Sequence, residues 1–375
     1  MLKLPGNLTA EKFLARYWQT EHLCMQHALP RVRPAVSRNE LAWLATLDDV
    51  ESRLVFTERG SGRLRYVAET GPFDPDYLAA LPRRDWTLLV HDVEKHLPAM
   101  RKLFAYVPFI PDWRIDDLMV SFAAPGGGVG PHRDNYDVFL CQGIGVREWR
   151  VSNDEIASDP HASDDLALTE EFAGQYYEVC EGDVLYVPPG VAHWGTARRA
   201  CITYSIGMRA PQLSDLRDEL PDIEDENAFY TDRDLGIGEC TSGYIAPESV
   251  RRALDLLQST EDEFERVALA LGRFATETKD WITPEVLSDE DTANVLIAAK
   301  RGARLDVHGM ARIAYDDRNV YVNGRYTALP HEARPTLARI CSSRRYSGAA
   351  RAVTHWQDTL AWMLKMGAFE IPENL

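Results

Sequence analysis

The middle of the chain carries short apolar runs that glycines and prolines divide. Turn sequences such as Pro125-Gly126 and Gln142-Gly143 are typical of these divisions. Short runs rich in β-branched and aromatic residues at this spacing predict strands joined by tight turns. The predicted strands cover residues 117–123, 137–141, 147–151, 176–179, 184–187 and 200–206. Several short strands in one segment predict a double-sheet jelly roll or a β-barrel.

The segment before these strands mixes helical and β-like patterns. Residues 11–18, which follow the candidate cap Thr9, and residues 39–44 predict short helices. Residues 64–67 and 86–90 predict short strands.

Apolar positions at helical spacing dominate the segment after them. Residues 247–276 show this spacing, and Pro247 stands at a first-turn position. A strand pair, 311–315 and 319–322, turns at Asp317 and precedes Asn323-Gly324. Further helices are predicted over residues 291–301, 334–341 and 354–366. Helices with a small β-wing are typical of a winged-helix module.

Charge divides the chain into similar parts. The formal net charge is −17, and it amounts to −8 over residues 1–208, −13 over 209–290 and +4 over 291–375. We therefore predict an α+β chain of three domains, 1–210, 211–290 and 291–375. Because phosphate binding depends on clustered Lys and Arg, we expect no strong nucleic-acid binding, and the mildly basic last domain alone keeps that question open.

The composition predicts a cytoplasmic protein. No run reaches the roughly 18 apolar residues of a membrane helix, and the N-terminal sequence lacks the zones of a secretory signal. The six cysteines are scattered and form no C-x-x-C pair. This distribution is typical of proteins in a reducing compartment rather than of disulfide scaffolds.

A candidate metal site involves His132, Asp134 and His193. In an extended strand, side chains two apart point the same way, so His132 and Asp134 can share one cation. His193 follows a strand and a Pro188-Pro189-Gly190 turn. Two His and one carboxylate that leave other positions open are typical of non-haem Fe(II) oxygenases, whereas structural zinc takes four ligands, usually with thiolates. The alternative is that His132 and Asp134 cap the glycine-rich turn and His193 is a buried, hydrogen-bonded residue.

The remaining histidines have no such pattern around them. We expect a structural or solvated role for His22, His27, His91, His96, His161, His308, His331 and His355.

If 2-oxoglutarate is the co-substrate at such an iron site, Arg147 is the candidate for binding its distal carboxylate. It lies fifteen residues after His132 on a predicted strand, and a planar guanidinium suits bidentate binding of a carboxylate. Arg150 is expected on the opposite face. Hydroxyl hydrogen bonds to the same ligand are expected from Ser121 and from one of Thr203, Tyr204 and Ser205. The alternative is that Arg147 is a surface arginine.

Three stretches resemble the bacterial ribosomal oxygenases of the Jumonji C class. They are Asp117-Leu118-Met119-Val120-Ser121-Phe122, Pro125-Gly126-Gly127-Gly128-Val129-Gly130-Pro131-His132-x-Asp134-x-Tyr136-Asp137-Val138-Phe139, and Ser205-Ile206-Gly207-x-Arg209-Ala210-Pro211. The resemblance implies a Jumonji C (cupin) double-stranded β-helix, a helical dimerisation domain and a C-terminal winged helix, assembled as a homodimer. In that class a basic residue at the position of Arg147 binds 2-oxoglutarate.

The resemblance also implies an activity. It is a dioxygenase reaction that uses Fe(II), 2-oxoglutarate and O2 to hydroxylate an arginyl residue of large-subunit ribosomal protein sixteen at its β-carbon. Related eukaryotic members act on histidyl residues of other ribosomal proteins, and that alternative stays open. Tyr136 is a candidate lining residue of the substrate channel, with a core aromatic as the alternative. A carboxylate such as Asp117, Asp116 or Asp137 is a candidate to hold a substrate guanidinium, with a solvated charge at a strand end as the alternative.

Two rival functions use the same predicted fold. In the first, a jelly-roll sensor and a winged helix form a DNA-binding regulator; in the second, a cupin enzyme uses the metal without 2-oxoglutarate. The low positive charge of the last domain argues against the first, and Arg147 argues against the second.

Overall fold

The computed structural model describes residues 2–29, 32–33, 35–60, 64–159, 168–219, 228–279, 287–347 and 356–370. The described chain forms two compact units, residues 1–108 with 115–208 and residues 109–114 with 209–375. His161, His355 and the first two residues of the predicted helix 354–366 lie outside the described residues.

The first unit is built on two antiparallel sheets. Its strands are β1 Leu23–Met25, β2 Ser52–Arg59, β3 Leu64–Thr70, β4 Trp86–Val90, β5 Ile115–Ala123, β6 Val138–Ile144, β7 Val146–Ser152, β8 Gln175–Cys180, β9 Val184–Val187, β10 Ala192–Ala197 and β11 Cys201–Met208. In the described chain, eight of them form a sheet of order β1-β9-β6-β11-β5-β4-β2-β3, and the other three form a sheet of order β10-β7-β8.

The two sheets enclose an apolar core. Val138 and Leu140 of the larger sheet pack in one buried cluster with Trp149 and Val151 of the smaller sheet. Burial of apolar faces between two sheets provides the main driving force for such a sandwich. This packing confirms the predicted jelly roll.

Short helices flank the sheets of the first unit. They are α1 Ala10–Arg16, α2 Arg38–Leu44, α3 Pro75–Ala79 and α4 Val93–His96, with a 3-10 helix over Pro98–Tyr106. The Thr9 hydroxyl accepts from Lys12 N, as predicted for a cap, and Ser37 forms a capping box with Glu40. The first two helices thus begin where side chains satisfy their unpaired amides.

The second unit combines helices with a three-stranded wing. Its elements are α5 Pro247–Leu256, α6 Phe264–Thr276, α7 Asp289–Lys300, β12 Arg304–Asp306, β13 Ile313–Tyr315, β14 Asn319–Val322, β15 Arg325–Ala328, α8 Arg334–Ser343, β16 Arg345–Ser347 and α9 Trp356–Lys365. The sheet β13-β14-β15 contains the predicted strand pair. Asn323 and Gly324, at φ +51° and +75°, form the turn into β15, a conformation that this dipeptide adopts readily.

Helix and wing residues of the second unit share one apolar cluster. Ala314 and Tyr321 of the wing are buried with Val267 and Leu271 of α6. A division of this unit into separate domains at residues 290 and 291 therefore stays a prediction.

A buried ion pair fixes residues 109–114 in the second unit. Arg114 and Asp232 are at most 1% exposed, and Arg114 Nε and Nη2 lie 2.9 and 3.2 Å from the two carboxylate oxygens of Asp232. Two parallel hydrogen bonds of this kind compensate the desolvation of both charges. Arg114 and Asp232 are 118 residues apart in the sequence, so no local sequence pattern predicts that they pair.

None of the helices in the described ranges is both long and apolar enough to span a membrane.

Candidate active site

His132 and His193 face each other across a β-bridge. His132 N donates to His193 O at 3.0 Å, and His193 N donates to His132 O at 2.9 Å. His193 lies in β10, whereas His132 follows a bend at Gly130 and lies outside the regular strands, which differs from the predicted strand. Gly130 has φ +85°, and a Cβ there would lie 2.9 Å from both Tyr66 and Leu168. Only glycine allows the chain to turn at this point.

The side chains of His132, Asp134 and His193 converge. One ligand atom from each lies within 4.8 Å of the others. The two Nε2 atoms lie 3.9 and 3.5 Å from Asp134 carboxylate oxygens. Among the described residues, no further His, Cys, Asp or Glu joins this cluster. A metal held here would keep coordination positions open for reactants.

Main-chain carbonyls set the tautomer of both imidazoles. His132 Nδ1 lies 3.0 Å from Gly130 O, and His193 Nδ1 lies 3.1 Å from Val191 O. A carbonyl oxygen only accepts, so each Nδ1 carries the proton and each Nε2 keeps its lone pair. Burial, and next the neighbouring His132, lower the pKa of His193 to about 4. His193 is therefore neutral at physiological pH, which is the form that binds a metal.

Arg147 is a buried cation in the same cavity. It is 4% exposed, its Nη1 lies 3.4 Å from Ser121 Oγ and from Thr203 Oγ1, and its guanidinium lies 5.2 Å from the ring centroid of Trp149. Arg147 Nε has no hydrogen-bond partner among the described residues, and no described carboxylate contributes to the pKa of this guanidinium. Burial lowers the pKa of Arg147, although an arginine stays charged in a protein. An unpaired buried guanidinium matches a carboxylate-bearing ligand.

The hydroxyl groups predicted near Arg147 divide into two sets. Ser121 and Thr203 are register partners on β5 and β11, and both contact Arg147, whereas Ser205 lines the same cavity. Tyr204 points elsewhere, since its hydroxyl accepts from Val36 N at 2.9 Å. Alternation of side chains along β11 explains this difference. Arg150 does not line the cavity and lies over Trp194 instead.

The cavity joins the metal-ligand cluster to Arg147 and to an acidic wall. His132, Asp134, His193 and Arg147 all line it, together with Ser121 and Ser205. Its wall also includes Leu89, His91, Asp117, Met119, Val129, Tyr136, Val138, Leu140, Trp149 and Gly207. The predicted substrate candidates Tyr136 and Asp117 therefore lie in the same cavity as the metal-ligand cluster.

Two residues in or near this wall lie in surroundings that the sequence did not predict. His91, for which a structural or solvated role was expected, lines the cavity, and its Nδ1 lies 3.1 Å from Asp117 Oδ2. Asp137 was a candidate for substrate binding, but it is fully buried and accepts hydrogen bonds from Gln19 Nε2 and the Tyr186 hydroxyl at 2.9 and 2.5 Å. Asp137 does not line the cavity; it lies directly before β6 and connects the segment after α1 to β9.

The cavity lining contains two carboxylates, Asp117 and Asp134. The charge of Asp134, followed by burial and the charge of Asp117, raises the pKa of Tyr136 well above its ordinary value. Burial, followed by the charge of Asp117, raises the pKa of Glu94 to about 7. The charge of Asp117 thus acts on groups in and beside the cavity, and a carboxylate at this place favours a cationic ligand.

Comparison with known proteins agrees with this architecture. A family model described as JmjC domain matches residues 102–216, and one described as ROXA-like winged helix matches residues 255–368. The chain is 32% identical over 340 residues to the ribosomal protein uL16 3-hydroxylase of Escherichia coli strain K12, with 88% of each chain covered.

Solved structures give the same result. An X-ray structure of E. coli YcfD superposes with a TM-score of 0.76 at 28% identity, over 98% of this chain and 99% of that chain. A structure of YcfD, a ribosomal oxygenase from E. coli, in complex with cobalt and 2-oxoglutarate superposes with a TM-score of 0.73 at 28% identity, over 99% of both chains. The fold predicted from the sequence, a JmjC jelly roll with a winged helix, is confirmed, and the chain belongs to the ribosomal oxygenase family with a JmjC domain.

Proposed function

We propose that this protein is an Fe(II)- and 2-oxoglutarate-dependent dioxygenase that hydroxylates a ribosomal protein. The proposed target is an arginyl residue of large-subunit ribosomal protein sixteen, hydroxylated at its β-carbon. One observation carries the proposal: a three-ligand cluster and an unpaired buried arginine lie in a single cavity of a JmjC fold. The relative named uL16 3-hydroxylase supports the choice of substrate.

His132, Asp134 and His193 are the proposed iron ligands. The two Nε2 lone pairs and one carboxylate oxygen give a donor set suited to Fe(II). Arg147 would hold the distal carboxylate of 2-oxoglutarate, with Ser121 and Thr203 orienting its guanidinium. When bound, iron with 2-oxoglutarate and O2 supplies the oxidising chemistry that converts a substrate C–H bond into C–OH and releases succinate and carbon dioxide.

The rest of the cavity would position the substrate and exclude water. Leu140, Trp149 and Val138 form an apolar wall around the metal-ligand cluster. Asp117 would bind the cationic end of the substrate side chain, and Tyr136, 41% exposed, would line its entry. A permanently charged guanidinium matches an acidic wall better than an imidazole does, which supports an arginyl over a histidyl target.

The test is mass spectrometry of ribosomal proteins from cells with and without this gene. We expect one ribosomal protein to lose the mass of one oxygen atom at one arginine when the gene is deleted. A shift on a histidine would instead favour the histidyl hydroxylase alternative. No shift on any ribosomal protein, together with salt-sensitive DNA binding by the purified chain, would replace this proposal with the regulator alternative.

The same proposal includes a homodimer in the cytoplasm. The family resemblance and the helices α5 and α6 support a dimerisation role for this region, and all six cysteines are free thiols, as a reducing compartment requires. Light scattering of the purified protein at micromolar concentration should give twice the chain mass. A monomeric mass at that concentration would remove the dimer from the proposal.

A further inference from the structure

His91 and Asp117, which both line the cavity, are joined by a hydrogen bond. His91 follows β4, and Asp117 lies in β5, the neighbouring strand of the sheet. His91 Nδ1 lies 3.1 Å from Asp117 Oδ2, and the main-chain N–H of Asp92 lies 3.3 Å from the same oxygen. Since a carboxylate accepts, His91 Nδ1 must carry the proton. One oxygen of Asp117 is therefore held by two donors from the β4 end.

The other carboxylate oxygen of Asp117, Oδ1, lies next to Gly207 in the cavity. A Cβ placed on Gly207 would lie 3.2 Å from Asp117 Oδ1 and 4.0 Å from Tyr136 Cε2. Gly207 and Tyr136 both line the cavity. The glycine leaves space in front of Oδ1 that any other residue at this position would narrow.

The backbone that supplies the second donor is itself held in place. Asp92 has φ +55°, a conformation that non-glycine residues adopt at a cost, and its carboxylate lies 2.5 Å from Lys95 Nζ. Both side chains of this ion pair are at most 4% exposed. This ion pair stabilises the turn after β4, which places His91 against Asp117.

We propose that His91 is a positioning residue, which through its hydrogen bond to Asp117 fixes that carboxylate in the orientation that selects a cationic substrate side chain. This inference rests on the proposed function, because it assigns Asp117 to the substrate cation. A carboxylate with one oxygen fixed presents the other in one direction, so less entropy is lost when a guanidinium binds. Without His91, only the main-chain N–H of Asp92 holds Asp117, so the carboxylate rotates more freely and discriminates less between charged and neutral ligands.

Two substitutions of His91 distinguish the effect of its hydrogen bond from the effect of its side-chain volume. His91→Asn keeps an N–H donor near the position of Nδ1, and His91→Leu keeps the volume but removes the donor. His96→Leu, at a histidine that does not line the cavity, is the matched control. Binding of two peptides to the cobalt-loaded enzyme is measured by calorimetry, one with the target arginine and one with neutral citrulline in its place. Hydroxylation of the arginyl peptide gives kcat and KM.

We expect His91→Leu to raise the Kd and KM for the arginyl peptide about tenfold, the worth of one hydrogen bond to a charged group, with kcat within about twofold. Its preference for arginine over citrulline should fall by a similar factor. His91→Asn and His96→Leu should stay within about threefold of the unchanged protein in both measurements.

Three outcomes would overturn the inference. They are an unchanged arginine preference in His91→Leu, an Asn variant as impaired as the Leu variant, and a loss of cobalt binding in His91→Leu that marks a general structural defect. Failure of the proposed function would give another result, in which the unchanged protein binds the arginyl peptide but leaves it unmodified. In that case the Kd values of the two His91 variants would still test the inference.

Discussion

The imidazole rings of His132 and His193 lie 4.1 Å apart between centroids, and the same two residues exchange both main-chain hydrogen bonds. The distance between the two ligand histidines is thus set by main-chain hydrogen bonds as well as by the contact between their rings. Asp134, two residues beyond His132, completes the cluster from the same segment. The spacing of the metal ligands therefore depends on the path of the chain between Gly130 and Asp134.

Removing one ligand should weaken metal binding strongly. Because three protein donors hold the ion and a changed outer contact alone costs 10- to 100-fold in affinity, we expect Asp134→Ala or His193→Ala to weaken Co(II) binding by about 100-fold or more. The visible absorption of bound cobalt during titration measures this affinity. His22→Ala, at a histidine outside the cavity, is the control, and retention of tight cobalt binding by Asp134→Ala would contradict the assigned ligand set.

The bend at Gly130 should be intolerant of a side chain. Gly130→Ala places a methyl group 2.9 Å from Tyr66 and Leu168 in a left-handed conformation, and we expect a loss of about 2 to 4 kcal/mol in stability together with weaker cobalt binding. Gly190, at φ +76°, has no heavy atom within 4 Å of its added Cβ. Gly190→Ala should therefore cost only about 1 kcal/mol of backbone strain and leave the metal site intact.

Urea denaturation and cobalt titration of the two glycine variants provide the measurement. The difference between them is the steric part of the cost, since both positions have a positive φ. Equal losses in the two variants would show that packing against Tyr66 does not position His132.

Loss of the Arg147 guanidinium should weaken binding of 2-oxoglutarate selectively. Arg147→Gln removes the buried cation but keeps much of its volume, so we expect the KM for 2-oxoglutarate to rise by about 10- to 100-fold, which corresponds to hydrogen bonds to a charged group. Cobalt affinity should stay within about threefold, because Arg147 is not a ligand. Arg150→Gln, on the opposite face of β7, is the matched control. A KM that is the same in both variants would refute the role of Arg147.

Glu94 should make stability depend on pH. Burial raises its pKa from an ordinary value of 4.5 to about 7, so between these values the folded chain keeps a proton that the unfolded chain has lost. This contribution is fully present below pH 4.5 and is lost as the pH rises through 7. Glu94 is 1% exposed, and the shift corresponds to about 3 kcal/mol.

Glu94→Gln should lack this pH dependence. Denaturant unfolding at pH 5 and pH 8 should show the variant gaining about 2 to 3 kcal/mol relative to the original chain on going to the higher pH. The glutamine side-chain oxygen can still accept from Leu118 N, as Glu94 Oε2 does at 3.0 Å. Glu58→Gln, at an exposed position of β2, is the control and should give parallel curves. Parallel curves for Glu94→Gln as well would mean that Glu94 ionises normally.

Much of the site could be predicted because its signals are local. The two-residue spacing of His132 and Asp134 and the turn before His193 lie within short segments, and the structure brings these three side chains together. The direction of Arg147 followed from strand alternation. In the folds of both units, predicted helices and strands begin or end within a few residues of those observed, because caps such as Thr9 and the Asn323-Gly324 turn act over one or two residues.

The missed features depend on pairing between distant segments. His91 reaches Asp117 because β4 and β5 pair with Leu89 opposite Ser121, and no local pattern fixes that register. The three-residue strand β1 exists only through its pairing with β9. A pattern of apolar positions predicts which residues are buried, but it does not state which partner buries them.

The hydrogen bonds from the ligand imidazoles to Gly130 O and Val191 O have a consequence for how such a site can change. Each bond spans two residues of the same segment, so the metal-binding nitrogen is selected within a tripeptide and needs no help from the surrounding side chains. The segments around His132 and His193, which a β-bridge joins, thus contain the groups that select both metal-binding nitrogens. Residues of the neighbouring wall can therefore be substituted to fit another substrate, in evolution or by design, while the metal-binding residues stay the same.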